Sequence, residues 1–357
     1  MSLRKNGFSF PQSCIRVPSD RGFGGVNAVR PSLGCPTGLH VMTDRVLPAS
    51  PPAVSVVIPA YNRAATICAA MESVLRQTYA DFELLIVDDC SSDGTLDAAA
   101  RLSDPRIRLI KSPENAGASA ARNRGVHEAR GKWIAFQDSD DEWLPRKLEK
   151  QMARLAAPGA DHVAAYCGMM VIGTHEDVEG SRSGRPQIGY VPDPNAEVIE
   201  GDLIPTLITT SLVSTQTLVV RRDVMLEIGG FDEEIRALID WECMLRLAQV
   251  GSVACVDEPL VLQWFSPNSI TRDIPKRIAS WWQAIGKHGD LMRRHPRHLA
   301  RLYYIIAGEE RRAGNYAAAQ AALRKALALQ PARPRFWAML GYAGLRGAFA
   351  AMKPAGR

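Results

Sequence analysis

Trp133-Ile134-Ala135-Phe136-Gln137-Asp138-Ser139-Asp140-Asp141 joins an apolar run to three carboxylates within four positions. The apolar run reads as a buried strand, and the carboxylates stand at its end. In extended backbone, residues i and i+2 point to one side, so Asp138 and Asp140 can reach one object together. Like charges at that spacing repel unless a cation or hydrogen-bond donors lie between them. A hard divalent ion holding a polyphosphate meets that need. An acidic loop capping the next helix is the competing reading, because Pro145 suits a first helical position. Taken alone, the stretch leaves both open.

Upstream, the same pattern recurs. Residues 54–58 form a β-branched run that ends in Pro59-Ala60-Tyr61-Asn62, and residues 83–87 form a second that ends in Asp88-Asp89 and Ser92-Asp93-Gly94-Thr95. A short third strand spans 107–110, and helical spacing covers 64–77, 95–102 and 118–130, the last bearing Arg122, Asn123 and Arg124. Strands alternating with helices through short turns imply an α/β fold with a mostly parallel central sheet flanked by helices. Each polar motif falls at a strand's carboxyl end, where open α/β sheets place ligands. No GxGxxG or GxxxxGK[ST] is present, which disfavours dinucleotide-binding and P-loop folds. Downstream, strands are expected at 163–172, 214–220 and 253–262, a helix at 221–228, and a long loop at 173–201.

The chain has 357 residues, 46% of them apolar, room for one large domain and a smaller module. Seven cysteines are scattered without a CxxC pair, and Cys68, Cys167, Cys243 and Cys255, in apolar contexts, read as reduced core thiols in a cytosolic protein. No apolar run is long enough to span a bilayer, and no secretory signal is visible, so a cytoplasmic site is expected. Residues 1–52, rich in Gly, Pro, Ser and Arg, read as disordered, and Met42 stands just before the first structured run. Charge separates the rest. Residues 53–275 hold 21 basic and 33 acidic side chains, whereas residues 276–357 hold 16 basic and three acidic. Such a tail favours an anionic partner, whether phospholipid headgroups, a phosphorylated acceptor or nucleic acid, and a solvated arginine-rich helix surface is the plainer reading; an anionic membrane or acceptor is expected, and nucleic acid is not.

Together these motifs resemble the inverting glycosyltransferases of family 2, with the GT-A fold. The resemblance runs from about 54 to 271 through Val57-Ile58-Pro59-Ala60-Tyr61-Asn62, Val87-Asp88-Asp89, Asn115-Ala116-Gly117, Ala121-Arg122-Asn123, Asp138-Ser139-Asp140-Asp141, Gly229-Gly230-Phe231-Asp232-Glu233 and Asp240-Trp241-Glu242. It implies a nucleotide-diphosphate sugar donor, most simply a UDP-sugar, and a glycan or lipid-linked glycan acceptor in cell-surface polysaccharide synthesis. On the donor side it assigns Pro59, Tyr61, Asn62, Asp88, Asn115, Gly117, Arg122 and Asp138. It gives Mn²⁺ or Mg²⁺ to Asp140, catalysis to Asp240 as the base that deprotonates the acceptor, and an acceptor-side wall to Trp241. Asp141 is left to support or cap. Two departures stand out: Ile239 replaces an acidic residue expected before Asp240, and Ser266 a histidine expected near 263–266. They motivate an alternative, a catalytically weak scaffold that binds a nucleotide sugar.

Residues 276–357 are expected to form a small basic α-helical module. Within it, 300–333 resemble a tetratricopeptide repeat, with Gly314, Ala319, Leu323, Ala326 and Pro331 at its small and apolar positions and Trp337, Leu340 and Gly341 opening a second, partial one. One and a half repeats do not stand alone, so they should dock on the catalytic domain or on a partner.

Overall fold

A computed structural model describes residues 50–159, 161–173, 187–192, 198–264 and 273–351. The expectations for residues 1–49 and for Ser266 lie outside them. The first half is a run of βα units: β1 (Val54–Ala60), α1 (Ile67–Leu75), β2 (Phe82–Asp88), α2 (Thr95–Ala100), β3 (Ile107–Lys111), α3 (Ala118–Glu128) and β4 (Trp133–Phe136). Then come β5 (Glu142–Trp143), α4 (Lys147–Leu155), β6 (His162–Gly173), β7 (Gln187–Val191), α5 (Ile204–Leu207), a 3-10 turn (Thr215–Thr217), β8 (Leu218–Arg221), α6 (Arg222–Glu227), α7 (Ile239–Val250) and β9 (Ser252–Trp264). Four helices follow: α8 (Ile274–Arg293), α9 (Pro296–Arg312), α10 (Tyr316–Leu329) and α11 (Pro334–Ala351).

The strands form one sheet in the order β3-β2-β1-β4-β8-β6-β9-β5, with β7 alongside β6. The βα half is parallel as expected. The rest is mixed, because β8 runs antiparallel to both β4 and β6, β5 antiparallel to β9, and β7 antiparallel to β6. β7 lies inside the stretch expected to be one loop. β1 continues through Pro59, whose missing N–H costs nothing because pairing with β4 ends at Val57.

Four strand spacings separate β4 from β5, about 19 Å on a flat sheet. The link of 137–141 could reach ~20 Å only if fully extended, yet it contains a turn in which the Asp141 N–H bonds the Asp138 carbonyl. The sheet therefore curls, and the acidic stretch lies across its carboxyl edge.

Alternation along β1 feeds two apolar layers. Val54, Val56 and Ile58 pack with Ile67, Met71 and Leu148 from α1 and α4. Val57 faces the other way, with Val126 of α3 and Trp241 and Leu245 of α7. This second layer continues without a break through Met292, Leu302, Ile306 and Leu323 to Ala343, so the C-terminal helices share the core beneath the sheet. Among the described residues no helix is long and apolar enough to cross a membrane, and Cys90, Cys167, Cys243 and Cys255 are free thiols.

Candidate active site

At the carboxyl ends of β1 and β2 two loops are stitched together. Asn62 adopts φ +52°, a left-handed conformation an L-residue holds at a cost of roughly 1 kcal/mol or more. Its amide donates to Ser91 Oγ at 2.9 Å while its side-chain oxygen accepts from the Ser92 amide at 3.0 Å. The Arg63 and Ala64 amides donate onward to Thr95 Oγ1 and Asp93 Oδ2. Asp88 is fully buried: Oδ2 accepts from the Ser91 amide, and Oδ1 has no partner. A buried orphan acceptor asks for a donor from a ligand. Tyr61, on the loop after β1, is half exposed. Asn115 and Gly117 are organised through the neighbouring carboxylate: Asp89 accepts from the Ala116 and Gly117 amides at 3.0 and 2.7 Å, and Asn115 Nδ2 donates to the Asp89 carbonyl. Gly117 sits at φ +97°, which admits no other residue cheaply.

The acidic stretch divides its labour. Asp138 accepts from Arg122 Nη2 at 2.6 Å. Arg122 is buried on α3, not solvated, and its Nε and Nη1 have no partner. Asp140 is one-third exposed, with Arg63 at 3.9 Å. Asp141 turns inward and caps no helix: its oxygens accept from Gln216 Nε2 at 2.8 Å and the Trp264 amide at 3.2 Å. Burial, then the charges of Asp138 and Asp140, push its carboxyl well above the usual range. α4 begins at Lys147, so Pro145 does not occupy its first turn.

No group of three or more His, Cys, Asp or Glu side chains placed to hold a metal occurs among the described residues. Mg²⁺ and Mn²⁺ take one or two carboxylates and complete their shell with phosphate and water, a demand that the one-third-exposed Asp140 meets in donor chemistry.

Asp240 opens α7, immediately after Leu238 at φ +58° and Ile239. Its Oδ1 accepts from the Trp241 amide at 2.8 Å. Burial raises its pKa to about 6, with Asp138 adding to the rise and Arg122 opposing it. Asp240, Asp138, Arg122 and Gly117 line one cavity of about 530 Å³. Pro59, Tyr61, Asn62, Asp88, Asn115 and Asp140 lie outside that cavity's lining, on the adjoining edge. Trp241 is a correction: it is buried, and its Nε1 bonds the Leu207 carbonyl, so it is core and not an acceptor-side wall. The side chains that line the cavity beside Asp240 are Ile239, Arg236 and, from α8, Lys276 and Arg277. Sequence reading had marked Ile239 only as a departure from the motif, and it missed Arg236, Lys276 and Arg277. Position in the chain could have flagged Arg236, four residues before Asp240, but nothing local marks the α8 pair.

The remaining motifs explain one another. Asn123, beside Arg122, accepts from the Phe231 amide at 2.7 Å and donates to the Phe231 carbonyl and Glu233 at 2.8 Å each. Gly230 is required there, since a Cβ would lie 2.4 Å from Asn123 Oδ1. Two residues past Asp240, buried Glu242 accepts from Arg246 at 2.6 and 2.8 Å and meets His288 Nε2 of α8 at 2.8 Å. Arg246 also donates to the Ile228 and Gly230 carbonyls.

Known proteins are similar to this chain in sequence and in fold. The family described as "Glycosyl transferase family 2" matches residues 55–206. A UDP-Glc:alpha-D-GlcNAc-diphosphoundecaprenol beta-1,3-glucosyltransferase, WfgD of Escherichia coli, is 47% identical over 255 residues, 71% of this chain and 90% of that protein. Succinoglycan biosynthesis protein ExoO of Rhizobium meliloti is 47% identical over 109 residues, 30% of this chain and only 31% of its own length. Among solved structures, S. aureus TarS in complex with UDP superposes with TM-score 0.56 at 19% identity, over 82% of this chain and 87% of that one. The mannosyltransferase PcManGT of Pyrobaculum calidifontis, in complex with GDP-Man and Mn²⁺, gives 0.55 at 20% identity, over 85% and 89%. With this fold and a relative matched over nine-tenths of its length, the chain belongs to glycosyl transferase family 2 and is a glycosyltransferase.

Proposed function

We propose that the protein transfers a sugar, with inversion, from a nucleotide-diphosphate donor to a hydroxyl of a glycan or lipid-linked glycan in cell-surface polysaccharide synthesis, on the cytoplasmic face. One observation carries the reading: a carboxylate with a pKa of about 6, Asp240, faces the Arg122–Asp138 pair across a single cavity. A base of near-neutral pKa takes a hydroxyl proton efficiently at physiological pH. Asp240 accepts the acceptor's proton as its oxygen bonds to C1 of the sugar. The C1–O bond to the diphosphate breaks, and the nucleoside diphosphate leaves with the electron pair. Asp138 and Asp140 would hold a divalent cation, which when bound supplies charge neutralisation for that leaving group. Arg122 adds a fixed positive charge beside it. The buried Asp88 oxygen and the Tyr61–Asn62 loop receive the base, for which UDP is the first choice. Glucosyl transfer to a diphospholipid-linked sugar by WfgD supports the lipid-linked acceptor. The α9–α10 hairpin is read as tetratricopeptide-like, serving to dock the basic helices on the catalytic half.

Screening nucleotide sugars by thermal shift, with and without Mn²⁺, tests the donor. One nucleotide series should stabilise the protein by about 2.7 kcal/mol at a hundred times its Kd, and chelation should abolish turnover until Mn²⁺ is restored. Asp140→Asn should raise the Mn²⁺ concentration needed for half-maximal rate at least about tenfold. Stabilisation by no nucleotide under either condition overturns the reading. Ile239 in the cavity wall favours the second reading, a weakly active binding scaffold; turnover of any donor rules that out.

Acidity gives an independent check. Asp240 is charged above about pH 6 and neutral below. Log kcat/KM should therefore fall with unit slope as pH drops below about 6, and stay flat from there towards pH 8. A flat profile down to pH 4.5 would remove Asp240 as the base.

A further inference from the structure

α11 is apolar on both sides. Its inner face packs on the preceding helices: Phe336 stacks on Tyr304 with ring centroids 5.0 Å apart, Ala343 is buried, and Gly347 lies against Tyr316. The opposite face carries Trp337, Tyr342, Leu345 and Phe349, exposed by 55, 46, 65 and 65%. These four are nearly half of the nine large apolar side chains exposed among the described residues. A helix apolar all round is normally covered on every side, and a clustered apolar patch of this kind marks an interaction surface.

Charge identifies the cover. Residues 311–357 contain nine basic side chains and no acidic one. Arg335 and Arg346 of α11 are exposed, and the Arg311 guanidinium lies over the Tyr342 ring at 5.6 Å. A second copy docked here would set like charge against like charge. A bilayer with anionic headgroups accepts both features at once: Leu and Phe enter the acyl boundary, Trp and Tyr sit at the headgroups, and arginines meet phosphate.

We propose that the outward face of α11 is a membrane-docking surface selective for anionic lipid. It deepens the reading of a lipid-linked acceptor and rests on that reading only for its purpose. The binding itself can be scored without donor or acceptor, so the two can fail separately.

Full-length protein is sedimented with phosphatidylcholine vesicles, with and without phosphatidylglycerol. Binding is expected only when phosphatidylglycerol is present, and it should weaken with added salt. The double variant L345D/F349D, altered at two solvent-facing positions, should lose about tenfold or more in partitioning while hydrolysing donor as the wild type does. R335Q/R346Q should lose several-fold at low salt. Failure of the wild type to bind phosphatidylglycerol vesicles would overturn the proposal, as would equal binding by L345D/F349D. So would a wild-type dimer in light scattering that L345D/F349D dissociates, since the face would then belong to a second copy.

Discussion

Asp240→Asn is expected to lower transfer by about 10³-fold while leaving donor affinity within twofold of the wild type. The amide keeps the size of the carboxylate and can still accept from the Trp241 amide, so the cavity keeps its shape. What it loses is the capacity to take the acceptor proton. The loss should therefore fall on kcat and kcat/KM alike. Stability provides a control with a definite sign. The folded pKa of Asp240, about 6, lies above its ordinary value of 3.8. Its contribution is thus favourable at low pH and is lost as pH rises through 6, leaving a buried charge that costs stability at pH 7.5. Asp240→Asn removes that charge and should melt at or slightly above the wild-type temperature there. An inactive variant that also melts lower would be misfolded and would say nothing against another base. An active one would dismiss Asp240.

The largest expected loss of stability follows from Glu242→Ala. Glu242 is buried and ties together three elements: Arg246 on its own helix, the 228–230 turn through Arg246, and α8 through His288. Burial pushes its carboxyl up, but the hydrogen bonds from His288 and Arg246 prevail and hold it below the usual range. Deleting one partner strands the Arg246 charge in a poorly solvated site, at a cost of about 3–5 kcal/mol. For a chain of this size that should lower Tm by on the order of 10 °C. Glu242→Gln, which retains hydrogen bonds without the charge, should lose less. Calorimetry distinguishes the two, and a Tm within 2 °C of wild type for Glu242→Ala would deny the network its role.

How much was legible depended on whether the signal was local. The βα half was readable because β-branched runs such as Val54 to Ile58 are buried on both faces and leave little choice of structure. The mixed half was not, since β5 has two residues and β7 lies in a polar stretch, and both exist only through partners distant in the chain. The same holds at the site. Asp138 and Asp140 were marked by carboxylates crowded at a strand's end, and Asp240 by its place in the series of motifs that resembles family 2. Trp241 misled, because a tryptophan beside a functional aspartate reads alike whether its ring points into the core or the cavity; a helix turns by 100° per residue, and here one step separates cavity from core. Lys276 and Arg277 carry no local mark at all. They reach the cavity because α8 folds back on the catalytic half, a consequence of tertiary packing that no window of sequence encodes.

The paired loops after β1 and β2 have a consequence for how tightly a ligand can be held. Their backbone amides and side chains are already committed to one another through Asn62, Ser91, Ser92 and Asp93. Conformational entropy there, worth about 1–2 kcal/mol per backbone residue, is surrendered when the chain folds and not when a ligand arrives. Association at that edge then loses little beyond the ligand's own freedom of motion, so a modest set of contacts can yield useful affinity.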